Sequence, residues 1–249
     1  MHAFTFCQSF AIALPWIVTA FDNLLISWTN HFAGQSWLFD YIVYRISDNH
    51  LLKGGLFVTV LWAYWFRRGD DKPRDHKLVI PILAGCVLAL AINKILQVGA
   101  PHRLRPYLAH LPGITFPYDL GMVKISSFPS DHASLFFALS VGLCFLSLRA
   151  GIFAFLYTIV VICLPRIYLG LHYPTDLLAG AFIGGGSALL ACGTRLRETI
   201  ARPALALSEK HPALFYGAFF LFSYQLATLF DDARALGGLL QGIIRDLHH

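Results

Sequence analysis

An all-α fold, a polytopic bundle of transmembrane helices, is what this sequence predicts, and three observations carry the prediction. Of 249 residues, 57% are hydrophobic. Only 13% are charged, against about 25% in an average soluble domain. The apolar residues also run on continuously. A membrane helix needs about 20 such residues, whereas a membrane barrel is built from alternating segments of about 10. The same composition excludes a disordered chain, which lacks apolar surface to bury. The net charge of +5 would raise nucleic-acid binding in a soluble protein. In a membrane chain it reads as basic cytoplasmic loops, and no nucleic-acid partner is expected. Cys7, Cys86, Cys144, Cys163 and Cys192 sit in or beside apolar runs without paired spacing, so no disulfide framework is expected. The apolar N-terminus has neither a basic n-region nor an Ala-x-Ala site, so a cleaved signal peptide is not expected.

Taken in chain order, residues 3–21 are apolar enough to span, with Pro15 as a possible kink. Residues 22–50 mix aromatics with Asp22, Asp40 and Arg45 and read as amphipathic and interfacial. Residues 51–66 form the next span, and 67–77 a compact charged loop. A third span covers 78–97, followed by a long polar loop over 98–128. Spans four and five occupy 131–148 and 151–169 around a tight turn at Arg149 to Gly151, and span six occupies 174–193. A basic stretch follows, with Arg195, Arg197, Arg202 and Lys210. Residues 212–230 are long enough for a further span and 231–249 are polar or amphipathic. The expected division is a membrane-embedded domain over 1–210, with its motif-bearing core at about 50–193, and a C-terminal hydrophobic extension over 211–249. No internal repeat is visible.

The charged loop 67–77 holds Arg67, Arg68, Lys72, Arg74 and Lys77, which places it in the cytoplasm. Counting spans from there puts loop 98–128 and the link between spans five and six on the outer face. Three clusters of ionisable residues meet on that face. The first is Lys94, Arg103 and Arg105-Pro106. The second is Ser-Ser-Phe-Pro-Ser-Asp-His, ending in Ser130, Asp131 and His132. The third is Arg166, His172 and Asp176. Ionisable residues at the membrane are costly and point to a site. Pro129-Ser130 reads as a helix start with Ser130 as N-cap, where free backbone N–H groups and the helix dipole favour an anion. Pro174 opens span six with Asp176 in its first turn, where a carboxylate can hold one imidazole nitrogen of His172 and leave the other as a nucleophile. Arg103 and Arg105 are suited to clamping phosphate oxygens. Taken singly, each cluster also fits a plainer account: capping, solvated surface charge, or a snorkelling Lys94. Together they supply cations, two His and an orienting Asp, a set suited to phosphoryl transfer through a covalent phosphohistidine. The neighbouring Arg residues would oppose a bound cation, so neither a metal site nor a cofactor is expected.

In these motifs the chain resembles the type 2 phosphatidic acid phosphatase superfamily of integral membrane lipid phosphatases. The likeness covers roughly residues 50–193 and rests on Arg105-Pro106, on Pro129-Ser130-Asp131-His132, and on Pro165-Arg166 followed by His172 and Asp176. It implies a core of six transmembrane helices and a metal-independent mechanism. His172 would attack phosphorus, Asp176 would orient it, and His132 would protonate the leaving oxygen and then activate water. Arg105, Arg166 and the Ser130 region would bind phosphoryl oxygens. Three departures stand out. Lys94 lies eleven residues before Arg105 instead of seven, a difference of about one helical turn. Pro165 replaces a Ser, and Asp131 replaces a Gly. The Asp within Phe-Pro-Ser-Asp-His is similar to the bacitracin-resistance-type undecaprenyl pyrophosphate phosphatases. The resemblance therefore implies a polyprenyl diphosphate phosphatase on the outer face of the inner membrane, with a membrane lipid and the bilayer as partners. It leaves the lipid itself and the oligomeric state open. Phosphatidylglycerophosphate, phosphatidic acid or lipid A are alternative substrates, and phosphate transfer to another acceptor is an alternative outcome.

Overall fold

The structure, a computed structural model, describes residues 18–109, 111–118 and 126–231. The expected span over 3–21 therefore falls mostly outside the described residues, as does 232–249. Among the described residues the regular structure is helical throughout. Helix α1 covers residues 18–30 and α2 covers Trp37–Asp48. A π-helical turn at Leu51–Gly55 leads into α3, Leu56–Phe66. Helix α4 is Lys72–Gly99, α5 is Asp131–Leu146, and α6 is Leu148–Tyr157. Helix α6 runs through a π-helical segment, Thr158–Cys163, into α7, Leu164–Tyr168. Helices α8, Pro174–Cys192, α9, Thr194–Lys210, and α10, Pro212–Ala227, complete the chain order.

Three stretches among the described residues are long and apolar enough to cross a membrane: Lys72–Gly99, Leu148–Tyr168 and Pro174–Cys192. Leu51–Phe66 and Asp131–Leu146 are apolar but shorter. At 16 residues, α5 measures about 24 Å, less than the ~30 Å hydrocarbon core. The expected spans fall on these helices with small shifts. Helix α4 begins inside the charged loop, with Pro73 in its first turn, where a missing N–H costs nothing. The break between spans four and five comes at Ser147, not at Arg149 to Gly151. The extended backbone of Ser147 ends α5, and its hydroxyl caps α6 by accepting from the Ala150 N–H at 3.5 Å.

Residues 22–50 depart from expectation. They form two helices, and the two acids expected at an interface face inward: Asp22 is 1% exposed and Asp40 6%. Each is buried because it has donors. Asp40 accepts from the Gly34 N–H and the Tyr168 hydroxyl, tying α2 to α7, and the partners of Asp22 are described below.

The core is made by α4, α5 and α8 packed together, with Leu78, Ile82, Leu135, Phe136 and Leu139 almost wholly buried. Helix association within a bilayer gains little from the hydrophobic effect, so close backbone approach and interhelical hydrogen bonds matter more. Asn93 of α4 donates to Ser134 of α5 at 2.7 Å, and Ser140 of α5 pairs with Thr158 at 3.0 Å. Such bonds contribute about 0.6 kcal/mol each. Close approach is set by Gly184, where a Cβ would collide with the Ser134 carbonyl and lie 2.9 Å from the Ala138 nitrogen. Helix α10 joins the same core through α3: Trp62 donates to Ser223 at 3.1 Å and Trp65 to Tyr216 at 3.3 Å. On the far side of the bundle, Lys77 pairs with Glu198 at 3.3 Å and joins α4 to α9.

Gly184→Ala should overpack the α5–α8 contact. The expected cost is about 1–3 kcal/mol, read as a lower thermal unfolding midpoint of the detergent-solubilised protein. An unchanged midpoint would show that α8 can move away without loss.

Candidate active site

The turn between α7 and α8 explains why an Arg and a His six residues apart meet. Gly170 adopts φ +67°, a left-handed conformation that costs glycine little. The chain folds back so that the N–H groups of Leu171 and His172 donate to the Arg166 carbonyl, at 2.9 and 3.3 Å. Pro174 then starts α8, and Asp176 falls in its opening turn, where its Oδ2 accepts the Tyr173 N–H at 2.9 Å. A carboxylate here answers both the free N–H groups and the dipole of the helix.

His172 is 3% exposed. Its Nδ1 lies 2.9 Å from the Ser127 carbonyl oxygen and 3.9 Å from Asp176 Oδ2. A carbonyl only accepts, so in the neutral ring Nδ1 is the nitrogen that carries the hydrogen and Nε2 the one with the lone pair. Asp176 is reached by three donors. Besides the Tyr173 N–H, the Ser127 hydroxyl donates to Oδ2 at 2.9 Å and Arg103 Nη1 donates to Oδ1 at 2.5 Å. Arg103 also lies 3.8 Å from the centroid of the Tyr173 ring. Burial pushes the Tyr173 phenol above its ordinary pKa, so the ring meets Arg103 uncharged.

A cavity of about 390 Å³ opens in front of His172. Its walls carry the cations Lys94, Arg105 and Arg166, together with Asp131 and His132. Leu90, Asn93, Lys94 and Gln97 line it at helical spacing from one face of α4, which continues regularly to Gly99. The longer interval before Arg105 thus leaves Lys94 at the cavity. Arg105 Nη1 donates to the Leu171 carbonyl at 3.2 Å, while its Nε is buried without a protein partner among the described residues. Arg166 is 2% exposed and donates to the Ile162 carbonyl at 3.0 Å.

The start of α5 differs from the sequence expectation. Ser130 is a buried N-cap, accepting from Ala133 N at 3.4 Å and receiving Ser134 N at its carbonyl at 3.0 Å. Asp131 Oδ1 accepts the His132 N–H at 2.8 Å and lies 2.9 Å from His132 Nδ1. Among the backbone donors expected to face an anion, the His132 and Ala133 N–H groups are thus taken by Asp131 and Ser130. The cations on the cavity wall are the side chains of Arg105, Arg166 and Lys94. Arg103, expected to join them, is not among the cavity-lining residues and faces Asp176 instead.

Several residues in and around the site were not singled out from sequence. Ser127 supplies both a carbonyl and a hydroxyl. Lys53, on the π-helical turn, is a buried cation, 5% exposed. Asp22 and Thr175 stand behind Arg103. The chain after α10 also returns to the cavity, where Leu229, Phe230 and Asp231 form part of the wall. Leu229 and Phe230 adopt φ of 54° and 59°, a conformation disfavoured for side chains of this size. A charged residue inside an apolar stretch was the available signal for Asp22 and Lys53.

The site thus brings His172 to a cation-lined cavity of a helix bundle, an arrangement with the size and charge to accommodate a phosphoryl group. Comparison with known proteins gives the class: the PAP2 superfamily model matches residues 78–199. A Bacillus licheniformis protein named bacitracin transport permease protein BcrC is 31% identical over 152 residues, 60% of this chain and 70% of that one. A putative undecaprenyl-diphosphatase, YbjG, of Escherichia coli is 31% identical over 130 residues, 52% of this chain and 60% of its own length. Undecaprenyl-diphosphatase BcrC of Bacillus subtilis is 26% identical over 148 residues, 58% of this chain and 68% of that one. The chain belongs to the PAP2 superfamily of membrane phosphatases.

Asp131→Ala removes the acceptor at His132 Nδ1 and should lower phosphatase kcat by about tenfold or more. Asp131→Asn keeps an oxygen in place and should lose less. Steady-state phosphate release by the two variants checks the order.

Proposed function

We propose that this protein hydrolyses a polyprenyl diphosphate, undecaprenyl diphosphate in the first instance, to the monophosphate and orthophosphate on the outer face of the inner membrane. The substrate reading draws on the undecaprenyl-diphosphatase relatives and on Asp131 within Phe-Pro-Ser-Asp-His. The outward face follows from the basic loop 67–77 lying at the opposite end of α4 from the cavity.

The observation that carries the mechanism is the bond from His172 Nδ1 to the Ser127 carbonyl, which in the neutral ring assigns the lone pair to Nε2, on a residue that lines the cavity. Nε2 attacks the terminal phosphorus. An N–P bond forms as the P–O bond to the lipid monophosphate breaks. Arg105, Arg166 and Lys94 hold the phosphoryl oxygens and the charge they gain in the transition state. Asp176, 3.9 Å from Nδ1, stabilises the ring as it becomes cationic. His132 gives a proton to the departing oxygen. It then takes one from a water molecule that attacks the phosphohistidine, releasing orthophosphate and restoring His172. Asp131 fixes the His132 ring through Nδ1, so the exchanged proton belongs to Nε2. No step calls on a metal, because the side-chain cations supply the charge.

Purified protein in detergent with EDTA should release phosphate from undecaprenyl diphosphate faster than from phosphatidylglycerophosphate or phosphatidic acid. Acid quenching should trap an acid-labile phosphoenzyme, and His172→Ala should lose activity by about 10³-fold or more. Loss of activity in EDTA, or full turnover by His172→Ala, would overturn the mechanism. A different preferred lipid would replace the substrate.

A further inference from the structure

The network behind Asp176 does not stop at the three motif clusters. It reaches α1, outside the residues matched by the family model. Asp22 is 1% exposed. Its Oδ1 accepts the Thr175 N–H at 2.9 Å, in the first turn of α8. Its Oδ2 accepts from the Thr175 hydroxyl at 2.8 Å and from Arg103 Nη2 at 2.6 Å. The other end of the same guanidinium, Nη1, donates to Asp176 Oδ1 at 2.5 Å and to Thr175 Oγ1 at 2.9 Å. Arg103 is thus a planar bridge between two buried carboxylates, one beside the nucleophile and one on α1.

We infer that Asp22 is a positioning residue for catalysis, acting through Arg103 and the first turn of α8 to hold Asp176 against His172. The inference rests on the reading of His172 as nucleophile. A guanidinium anchored at one end only retains the freedom of a long side chain, and its charge is then no longer fixed beside Asp176. Asp22 removes that freedom by taking Nη2. It also fixes the Thr175 backbone next to Asp176, so both the charge and the carboxylate it serves share one anchor. Buried charges held this way are expensive to strand: without Asp22, Arg103 Nη2 loses its anion. Asp22 touches neither the cavity nor a substrate there, since the cavity wall does not include it.

The test uses the full chain in detergent with undecaprenyl diphosphate. Asp22→Asn should lower kcat by about tenfold or more. KM should stay within roughly twofold, because the phosphate-binding cations are untouched. The rate of phosphoenzyme formation should fall in parallel. In an Asp176→Asn background, Asp22→Asn should cost little more, because its effect travels through Asp176. A simple helix anchor predicts otherwise: loss of folded protein with unchanged kcat per folded molecule, or losses that multiply independently with Asp176→Asn. Either result overturns the inference. If Asp22→Asn does not fold, Thr175→Val carries the test. It deletes the hydroxyl shared by Asp22 and Arg103 while leaving both in place. It should give a smaller loss confined to kcat, with the same lack of additivity, and an unchanged kcat would overturn the inference. Failure of the underlying reading looks different: wild-type protein then forms no phosphoenzyme, or His172→Ala turns over normally, and the role of Asp22 falls with it.

Discussion

Asp176 needs donors, and the protein around the site is arranged by that need. A carboxylate with no solvent exposure is very costly unless its oxygens are met. Here three parts of the chain meet them. The backbone at Tyr173 and the hydroxyl of Ser127 serve one oxygen, and Arg103 from the loop after α4 serves the other. Each donor fixes a segment as well as a charge. Ser127 held by its hydroxyl also presents its carbonyl to His172. Arg103 held by its guanidinium also receives the Ser127 N–H at its own carbonyl, at 2.9 Å. The carboxylate therefore organises the loops that build the cavity, and the orientation of the imidazole follows from them.

Division of labour among the cations is the second consequence. Sequence assigns Arg103 and Arg105 to one clamp because they are two residues apart. In an extended segment, neighbours at that spacing point the same way only if the backbone is regular, and here it turns at Pro106 into a short 3₁₀ turn. Arg105 points to the cavity, while Arg103 serves a carboxylate pair. The cost of burying Asp22 and Asp176 is met by a residue that a purely sequence-based reading gives to the substrate. Lys94 behaves in the opposite way. Its displaced position keeps it at the cavity, because the interval is absorbed by further helix and a loop.

Much of this architecture is legible in the sequence, and the illegible parts share a cause. Span six over 174–193 and the helix start at Ser130 follow from Pro placement, capping residues and continuous apolar runs, all local signals. The pairing of His172 with Asp176 is a local spacing too. Ser127 escapes such reading because its main contribution is a backbone carbonyl, which every residue type possesses. Asp22 escapes because its partners are more than eighty residues away, and an acid in an aromatic stretch looks interfacial until the partners are known. The helix start at Asp131 misleads for a subtler reason: the Asp that marks it also occupies the N–H group it would otherwise offer.

The corner after α10 puts the last described part of the cavity wall far downstream of the three motif clusters. A chain emerging in order presents Lys94, Arg105, His132, His172 and Asp176 before Leu229, Phe230 and Asp231 exist. The proposed nucleophile is therefore already synthesised on a nascent chain that lacks this part of the cavity wall. Docking of α10 on α3, through Trp62 and Trp65, carries these residues to that side. Completion of the site thus becomes a readout of completed insertion: a chain stalled after α9 carries every motif and still lacks a finished cavity.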